Sequence, residues 1–215
     1  MKLYGYFRSS AAFRVRIALN LKGLAYKQQS IHLRRNEQAA PDYLKLNPQA
    51  LVPTLIDGAQ VVTQSLAIIE YIEETHPAPP LVPSTPPARA RVRSIAQMIA
   101  CDIHPIDNLR VLRYLASPLG QDETAVEAWF NHWIKLGFDA LEQRLAGERE
   151  TGRFCHGDTP GLADCCLVPQ VFNAQRYKSF DFKPYPLIMR IFEACLAVPA
   201  IDRATPAKQP DAEAG

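Results

Sequence analysis

The pattern of apolar and polar positions predicts a first part of the chain in which strands and helices alternate. Residues 2–7 alternate as a strand does, and Phe13, Ile17 and Leu21 then recur at the four-residue spacing of one helix face. A further extended stretch lies at residues 26–33. These segments predict a strand, a helix and a second strand.

A hairpin and another helix follow. Residues 52–56 and 60–63 flank Asp57-Gly58, a dipeptide typical of tight turns between strands. Ser65 is a favourable N-cap for the next segment, which has apolar residues on one face and glutamates on the other. This part of the chain is therefore predicted as βαβ followed by ββα.

Prolines then mark a boundary between two domains. Six prolines lie between Pro77 and Pro87, where they prevent a continuous helix or strand and favour an extended connector. We place an α/β domain at residues 1–80 and a second domain at residues 88–215. Strand-like alternation disappears in the second domain. Four helical patterns predict that it is all-α: residues 88–116, 124–145, 162–178 and 186–197.

Two details of the second domain follow from its prolines and from its end. Pro105 and Pro169 fall within two of the helical patterns, so a kink or an interruption is expected at each. Residues 205–215 are polar and poor in large apolar side chains, so this tail is expected to fray.

Composition excludes several classes of protein. The 215 residues are 47% hydrophobic and carry a net charge of +2, which is too balanced for non-specific binding to nucleic acid. No apolar run approaches the roughly 18 residues of a membrane helix, and the start of the chain lacks the apolar core of a signal peptide. We therefore expect a cytoplasmic protein with neither a nucleic-acid nor a membrane partner.

The five cysteines show no metal or disulfide pattern. They are odd in number, and none forms a CxxC spacing. Reduced and mostly buried thiols are expected, without a metal site.

Candidate chemistry is concentrated at the start of the first helix. Ser9 and Ser10 stand between a strand and a helix N-terminus, where free N–H groups and the helix dipole stabilise an anion such as a thiolate. Either serine can instead serve only as a helix cap, and one hydroxyl can do both.

Two further places in the first domain suit a peptide-like ligand. Pro53 has no N–H for a sheet, so it belongs at the start or edge of a strand. A cis Val52-Pro53 bond would turn the Val52 backbone towards an extended peptide, although most X–Pro bonds are trans. Gln64-Ser65 offers an amide, a hydroxyl and a backbone N–H, which suit a carboxylate or simply cap the helix.

Several motifs together resemble a known family. The segment at residues 9–19, SSAAFRVRIAL, closely resembles the signature of zeta-class glutathione transferases. The match continues through further segments along nearly the whole chain: Leu46-Asn47-Pro48, Val52-Pro53-Thr54-Leu55, residues 64–71 (QSLAIIEY), Ala163-Asp164 and Leu167-Val168-Pro169-Gln170.

The resemblance implies both a fold and an activity. The expected fold is that of glutathione transferases: a thioredoxin-like domain that binds most of the cofactor glutathione, and an all-α domain, with the substrate held between them. The expected activity is cis–trans isomerisation of maleylacetoacetate, an unsaturated keto-diacid, to fumarylacetoacetate by reversible thiolate addition. The alternatives are maleylpyruvate as substrate, a broader glutathione transferase or dehalogenase, and a binding protein without activity. A homodimer is also expected.

Carried over position by position, the resemblance implies three groups of site residues. Ser9 and Ser10 would activate the thiol. Arginine forks suit carboxylates, so the substrate-binding group contains Arg8, Arg110 and Arg176. The glutathione-binding group contains Ser9, Ser10, Ala11, Ala12, Phe13, Arg14, Gln38, Val52, Pro53, Gln64, Ser65, His104, Asn108, Leu109 and Arg110.

Some positions have a different role or depart from the family pattern. Ala11 stands where the zeta signature commonly has cysteine, so thiol activation depends on the two serines and the helix dipole. Arg14 and Arg16 lie about 200° apart around the helix and cannot both face the ligand, so Arg16 is assigned to structure or to the surface. His104 either donates to the ligand or satisfies backbone groups freed by Pro105. Asp164 is assigned to structure.

Overall fold

The computed structural model describes residues 1–213, and the chain divides into two compact units. The first contains Met1–Val82 together with the C-terminal residues from Leu196, and the second contains Pro83–Cys195.

The first unit is built on a four-stranded sheet. Its elements in chain order are β1 (Lys2–Gly5), α1 (Ser10–Leu21), β2 (Lys27–Ser30), α2 (Pro41–Leu44), β3 (Thr54–Asp57), β4 (Gln60–Thr63) and α3 (Ser65–Thr75). The strand order is β2-β1-β3-β4, with β1 parallel to β2 and antiparallel to β3. The predicted βαβ–ββα order, and with it the thioredoxin-like fold class, is confirmed.

The core of this unit lies between the sheet and its two long helices. Leu3 and Leu55 pair across β1 and β3 and are fully buried. Phe13 and Ile17 of α1 and Ile69 of α3 are also buried. Removing this apolar surface from water fixes α1 and α3, and therefore their N-termini, relative to the sheet.

The second unit is helical throughout its described elements. They are α4 (Pro86–Gln97), a π-helical turn (Met98–Ile103), α5 (His104–Asp107), α6 (Leu109–Ala116), α7 (Glu123–Gly147), α8 (Leu162–Ala174) and α9 (Pro186–Leu196). The predicted pattern at residues 88–116 is thus interrupted, as Pro105 indicated. Pro169, by contrast, lies inside α8 without ending it.

The C-terminus differs from the sequence prediction. The sequence places residues 196–215 in the helical domain and predicts a frayed tail, of which residues 214 and 215 lie outside the described part of the chain. Instead α10 (Pro199–Asp202) and the residues that follow pack with the first unit, where Asn20 Nδ2 donates to Ala200 O at 2.9 Å. Hydrogen bonds hold the tail as far as Glu213. Its polar composition, which suggested fraying, is what provides these bonds.

The cysteines are free thiols, as expected. Cys101 is exposed, and the other four are buried. Within residues 1–213, no three His, Cys, Asp or Glu side chains are placed to hold a metal ion. In the same part of the chain, no helix combines the length and apolar character needed to cross a membrane.

Candidate active site

The loop between β1 and α1 places two serine hydroxyls at a helix N-terminus. Ser9 is the N-cap of α1, and its Oγ accepts from Ala12 N at 3.2 Å. Its own N–H donates to Tyr6 O at 2.9 Å, which closes the turn. Ser10 is the first helical residue, and among residues 1–213 neither serine donates its hydroxyl proton to an acceptor. Both protons are therefore available to an anion at the positive end of α1.

The residues that follow face the core. Ala12, Phe13 and Arg14 have at most 2% of their surface exposed, and the N–H groups of Ala12 and Phe13 donate to Ser9 Oγ and Ser9 O. Arg14 Nη1 donates to Ser65 Oγ at 3.2 Å and so links α1 to the start of α3. Ala11 is half-buried.

Arg16 is structural, the first of the two roles foreseen for it. Its fully buried guanidinium donates to Ala204 O and to Phe7 O, both at 3.0 Å, and to Tyr6 O at 3.4 Å. Burial lowers its pKa to about 10, so Arg16 stays charged at neutral pH.

The residues just before β3 form an open peptide edge, a stretch of main chain whose polar groups can pair with a ligand. Two donors hold the Leu51 carbonyl: Tyr43 Oη at 2.6 Å and Asn47 Nδ2 at 2.8 Å. The Val52–Pro53 bond is cis. Among residues 1–213, neither the N–H nor the C=O of Val52 forms a hydrogen bond, so both can pair with an extended ligand.

The start of α3 carries the second polar pair. Gln64, not Ser65 as the sequence suggested, is the N-cap, and its φ of 69° is rare outside glycine. Such a conformation costs on the order of 1–3 kcal/mol and is concentrated at functional sites. The Ser65 hydroxyl accepts from Arg14 instead of capping the helix. Gln64 Nε2 donates to Gln49 Oε1 at 2.8 Å.

Two other predicted residues lie on the first unit. Gln38 belongs to a 3₁₀ turn, Glu37–Ala39, and its Nε2 donates to Asn36 Oδ1 at 2.8 Å. Arg8 is half-buried, with its guanidinium 5.2 Å from the centre of the Phe7 ring. That contact orients a cation directly before the serines.

The remaining predicted residues lie on the second unit. His104 begins α5 and Leu109 begins α6. The Asn108 side chain is hydrogen-bonded to both helices that it separates, α5 and α6. Its Oδ1 accepts from Arg110 N at 3.1 Å, and its Nδ2 donates to Pro105 O at 2.7 Å. The Arg110 side chain is exposed.

Arg176, also exposed, follows the last turn of α8. Its Nη1 lies 3.3 Å from Asn173 Oδ1, which accepts a hydrogen bond from it.

One carboxyl group in this stretch, that of Asp107, is not among the site residues predicted from the sequence. Asp107 ends α5 with only 2% of its surface exposed. Neither carboxyl oxygen has a hydrogen-bond partner within residues 1–213. Burial raises its pKa to about 8, so Asp107 is mainly protonated at neutral pH. No local pattern distinguishes it from a solvent-exposed helical aspartate.

Two of the buried cysteines are unsuited to nucleophilic chemistry. Burial raises the pKa of the Cys155 and Cys195 thiols, and the nearby Asp164 carboxyl raises both further. Asp164 itself accepts from Cys155 N and Gly161 N, both at 2.9 Å, which agrees with its structural assignment. Cys155 and Cys195 are therefore poor sources of a thiolate at neutral pH.

Comparison with known proteins identifies related chains. A family model for the glutathione S-transferase N-terminal domain matches residues 1–74, and one for the glutathione S-transferase C-terminal domain matches residues 124–194. A maleylpyruvate isomerase from a Ralstonia species is 51% identical over 98% of this chain and 99% of its own length.

Solved structures resemble the whole chain. A maleylpyruvate isomerase, described as a bacterial glutathione S-transferase in the zeta class, has a TM-score of 0.97 at 50% identity and covers 99% of this chain and 100% of its own. A maleylacetoacetate isomerase from Methylobacterium extorquens AM1, with bound malonate and GSH, has a TM-score of 0.96 at 45% identity and covers 100% of both chains.

Proposed function

Since the chain belongs to the zeta class of the glutathione S-transferase family, we propose that it is an enzyme catalysing glutathione-dependent cis–trans isomerisation of a maleyl keto acid. One observation carries the proposal. The Ser9 hydroxyl accepts Ala12 N–H and keeps its own proton for another partner, at the positive end of α1. This is the arrangement that holds a thiolate.

The other polar groups of the first unit fit the rest of glutathione. The free N–H and C=O of Val52 suit its peptide, and the start of α3 at Gln64 and Ser65 suits its γ-glutamyl carboxylate. Gln38 is proposed for the glycyl end. Related proteins support this fit, because the Methylobacterium extorquens AM1 enzyme contains bound GSH.

When bound, glutathione supplies a nucleophilic thiolate whose reversible addition to the substrate double bond permits rotation. The protein's part is to favour the charged form of the sulfur. Ser9 donates a hydrogen bond to it, and the helix dipole adds to the effect. Ser10 is the neighbouring donor, and Ala11 contributes only its backbone.

Three arginines are proposed to bind the substrate. Charge that develops on the conjugated carbonyl oxygen, together with the carboxylates, needs cationic partners. Arg8 lies directly before the serines, and the Phe7 ring orients its guanidinium. Arg110 and Arg176 are exposed and can form bidentate pairs with carboxylates.

The stretch from His104 to Arg110 is proposed to contribute to glutathione binding. His104, Leu109 and Arg110 are the residues proposed for contact. Asn108 acts by holding the break between α5 and α6, because its amide is used there.

Both maleylacetoacetate and maleylpyruvate meet the chemical requirement, since each has a cis double bond between carbonyl groups. The relatives include enzymes named for each acid. The ratio of kcat/KM for the two acids distinguishes them. We also propose a homodimer, as the family resemblance implies, which a light-scattering mass would test. Five free thiols support a cytoplasmic location.

Replacing the two serines tests the proposed chemistry. Ser9→Ala should lower kcat about 10²-fold, the scale of losing one hydrogen-bond donor to a developing anion, while Ser10→Ala should have a smaller effect. The assay follows loss of the cis-enol absorbance with saturating glutathione. Wild-type kcat in both variants would contradict the proposed role of the serines.

A further inference from the structure

The C-terminal segment at residues 204–213, here called the C-terminal strap, is attached to the loop that carries the two serines. The fully buried Ala204 contributes its carbonyl to Arg16 Nε at 3.0 Å. Nine residues later, Glu213 accepts from His32 Nε2 at 3.0 Å and from Arg35 Nη2 at 2.9 Å. The strap is therefore fixed at both ends to the first unit.

Asp211, between these two points, contacts the serine loop directly. Its Oδ2 accepts from Phe7 N at 3.1 Å and from Ser30 Oγ at 3.0 Å, and its Oδ1 accepts from Gln28 Nε2 at 2.7 Å. Phe7 lies two residues before Ser9. Among residues 1–213, Asp211 supplies the acceptor for this loop N–H.

Arg16 binds the carbonyl group of Phe7, the residue whose N–H donates to Asp211. It donates to Phe7 O at 3.0 Å, so charged side chains hold both the N–H and the C=O of Phe7. Both main-chain polar groups of Phe7 thus have partners at normal hydrogen-bond distances. The position of Phe7 relative to α1 is therefore set by a residue of α1 and a residue of the strap.

Hydrogen bonds within the strap and an apolar contact hold its conformation. Gln209 Nε2 donates to Arg203 O at 2.9 Å and to Thr205 O at 2.8 Å, which closes the chain into tight turns. Ala212 packs on the cluster that includes Phe7 and Val52. The strap thus contacts both the serine loop and the apolar cluster beneath the open peptide edge.

We propose that Asp211 is a positioning residue for catalysis: it holds the Phe7 peptide so that the Ser9 hydroxyl is aimed at the sulfur of bound glutathione. This role rests on the proposed function. It assigns a catalytic purpose to the C-terminal strap, whose residues, 204–213, form no hydrogen bond with either serine. What matters is the location of the acceptor oxygen next to Phe7 N, not the negative charge.

Three substitutions separate the location of the acceptor from its charge. Asp211→Ala removes the acceptor, and Asp211→Glu keeps the charge but moves it by one methylene. Asp211→Asn keeps an oxygen next to Phe7 N without the charge, and its NH2 replaces the oxygen that accepts from Gln28, whose amide can turn to present its own oxygen. Asp42→Ala is the control, because Asp42 is an exposed acid of the same unit that pairs with Lys45.

The readout is the pKa of the bound glutathione thiol, measured from thiolate absorbance against pH, together with kcat and both KM values. In Asp211→Ala and Asp211→Glu that pKa should rise, by roughly one unit in the alanine variant, and kcat at low pH should fall about tenfold. Asp211→Asn and Asp42→Ala should match the wild type. A purely structural role would lower the melting temperature without moving the thiol pKa.

The thiol pKa values of the Asp211 variants decide whether Asp211 positions the serine loop. Unchanged thiol pKa in Asp211→Ala and Asp211→Glu would overturn the inference, and so would a shift in Asp211→Asn with none in Asp211→Glu. If the alanine variant does not fold, the glutamate and asparagine pair carries the same comparison. Failure of the wild type to bind glutathione would instead contradict the proposed function itself.

Discussion

Replacing Asp107 by asparagine should stabilise the protein increasingly as pH rises. The ordinary pKa of this carboxyl is 3.8, and burial raises it to about 8 in the folded protein. Between these values the folded state holds a proton that the unfolded state has lost. Raising pH therefore lowers the free energy of unfolding of the wild type. An amide of the same shape does not titrate, so Asp107→Asn does not lose stability in this way.

The size of the effect follows from the pKa difference. Each pH unit between the two pKa values lowers the free energy of unfolding by about 1.4 kcal/mol. The advantage of Asp107→Asn over the wild type should thus grow by about 3 kcal/mol from pH 5 to pH 7. Above about pH 8 the stability advantage of Asp107→Asn should level off, because Asp107 is then ionised in both the folded and the unfolded wild type.

The assay is urea unfolding followed by circular dichroism at several pH values. All other titrating groups are common to both proteins, so they cancel in the difference. Asp102→Asn is the control, because it removes an exposed carboxyl five residues earlier. If the free energy of unfolding of Asp107→Asn minus that of the wild type stays constant or decreases as pH rises, the proposed protonation of Asp107 is wrong.

Three further substitutions test other contacts. Arg16→Met should cost about 2–4 kcal/mol in urea unfolding, because two buried carbonyl oxygens lose their donor. Asn47→Ala removes one of two donors to Leu51 O, so KM for glutathione should rise roughly fivefold with little change in kcat, measured by steady-state kinetics. Arg176→Ala should raise KM for the keto acid far more than for glutathione, whereas Arg149→Ala, which removes an exposed charge, should change neither. Equal effects on both KM values would argue against carboxylate binding by Arg176.

The order of strands and helices in the first unit was predictable because each signal is local. Periodicity identified β1 and α1, and Asp57-Gly58 identified the hairpin. The N-cap of α3 was misplaced by one residue because the Ser65 hydroxyl is held by Arg14, 51 positions away. The local pattern of apolar and polar residues does not indicate a contact between residues so far apart in the chain.

The position of the C-terminus could not be predicted for the same reason. Arg16 was recognised as non-catalytic, but its partner Ala204 lies 188 residues further along the chain. Asp211 stands in a polar tail, which is ordinarily solvated.

The stretch around Pro105 was predicted only in part. Its interruption follows from the proline, but the π-helical turn and the burial of Asp107 do not, and both segments lie against α7, a contact that local sequence does not reveal. An aspartate on a helix normally faces solvent, so nothing in the sequence marked this one.

Turnover by the purified wild-type protein tests the proposed isomerase activity itself. Maleylacetoacetate and maleylpyruvate are each incubated with the enzyme, with and without glutathione, and the loss of the cis-enol absorbance is followed. At least one acid should be converted to its trans isomer, conversion should require glutathione, and glutathione should not be consumed. No turnover of either acid, or equal turnover without glutathione, would contradict the proposed isomerase activity.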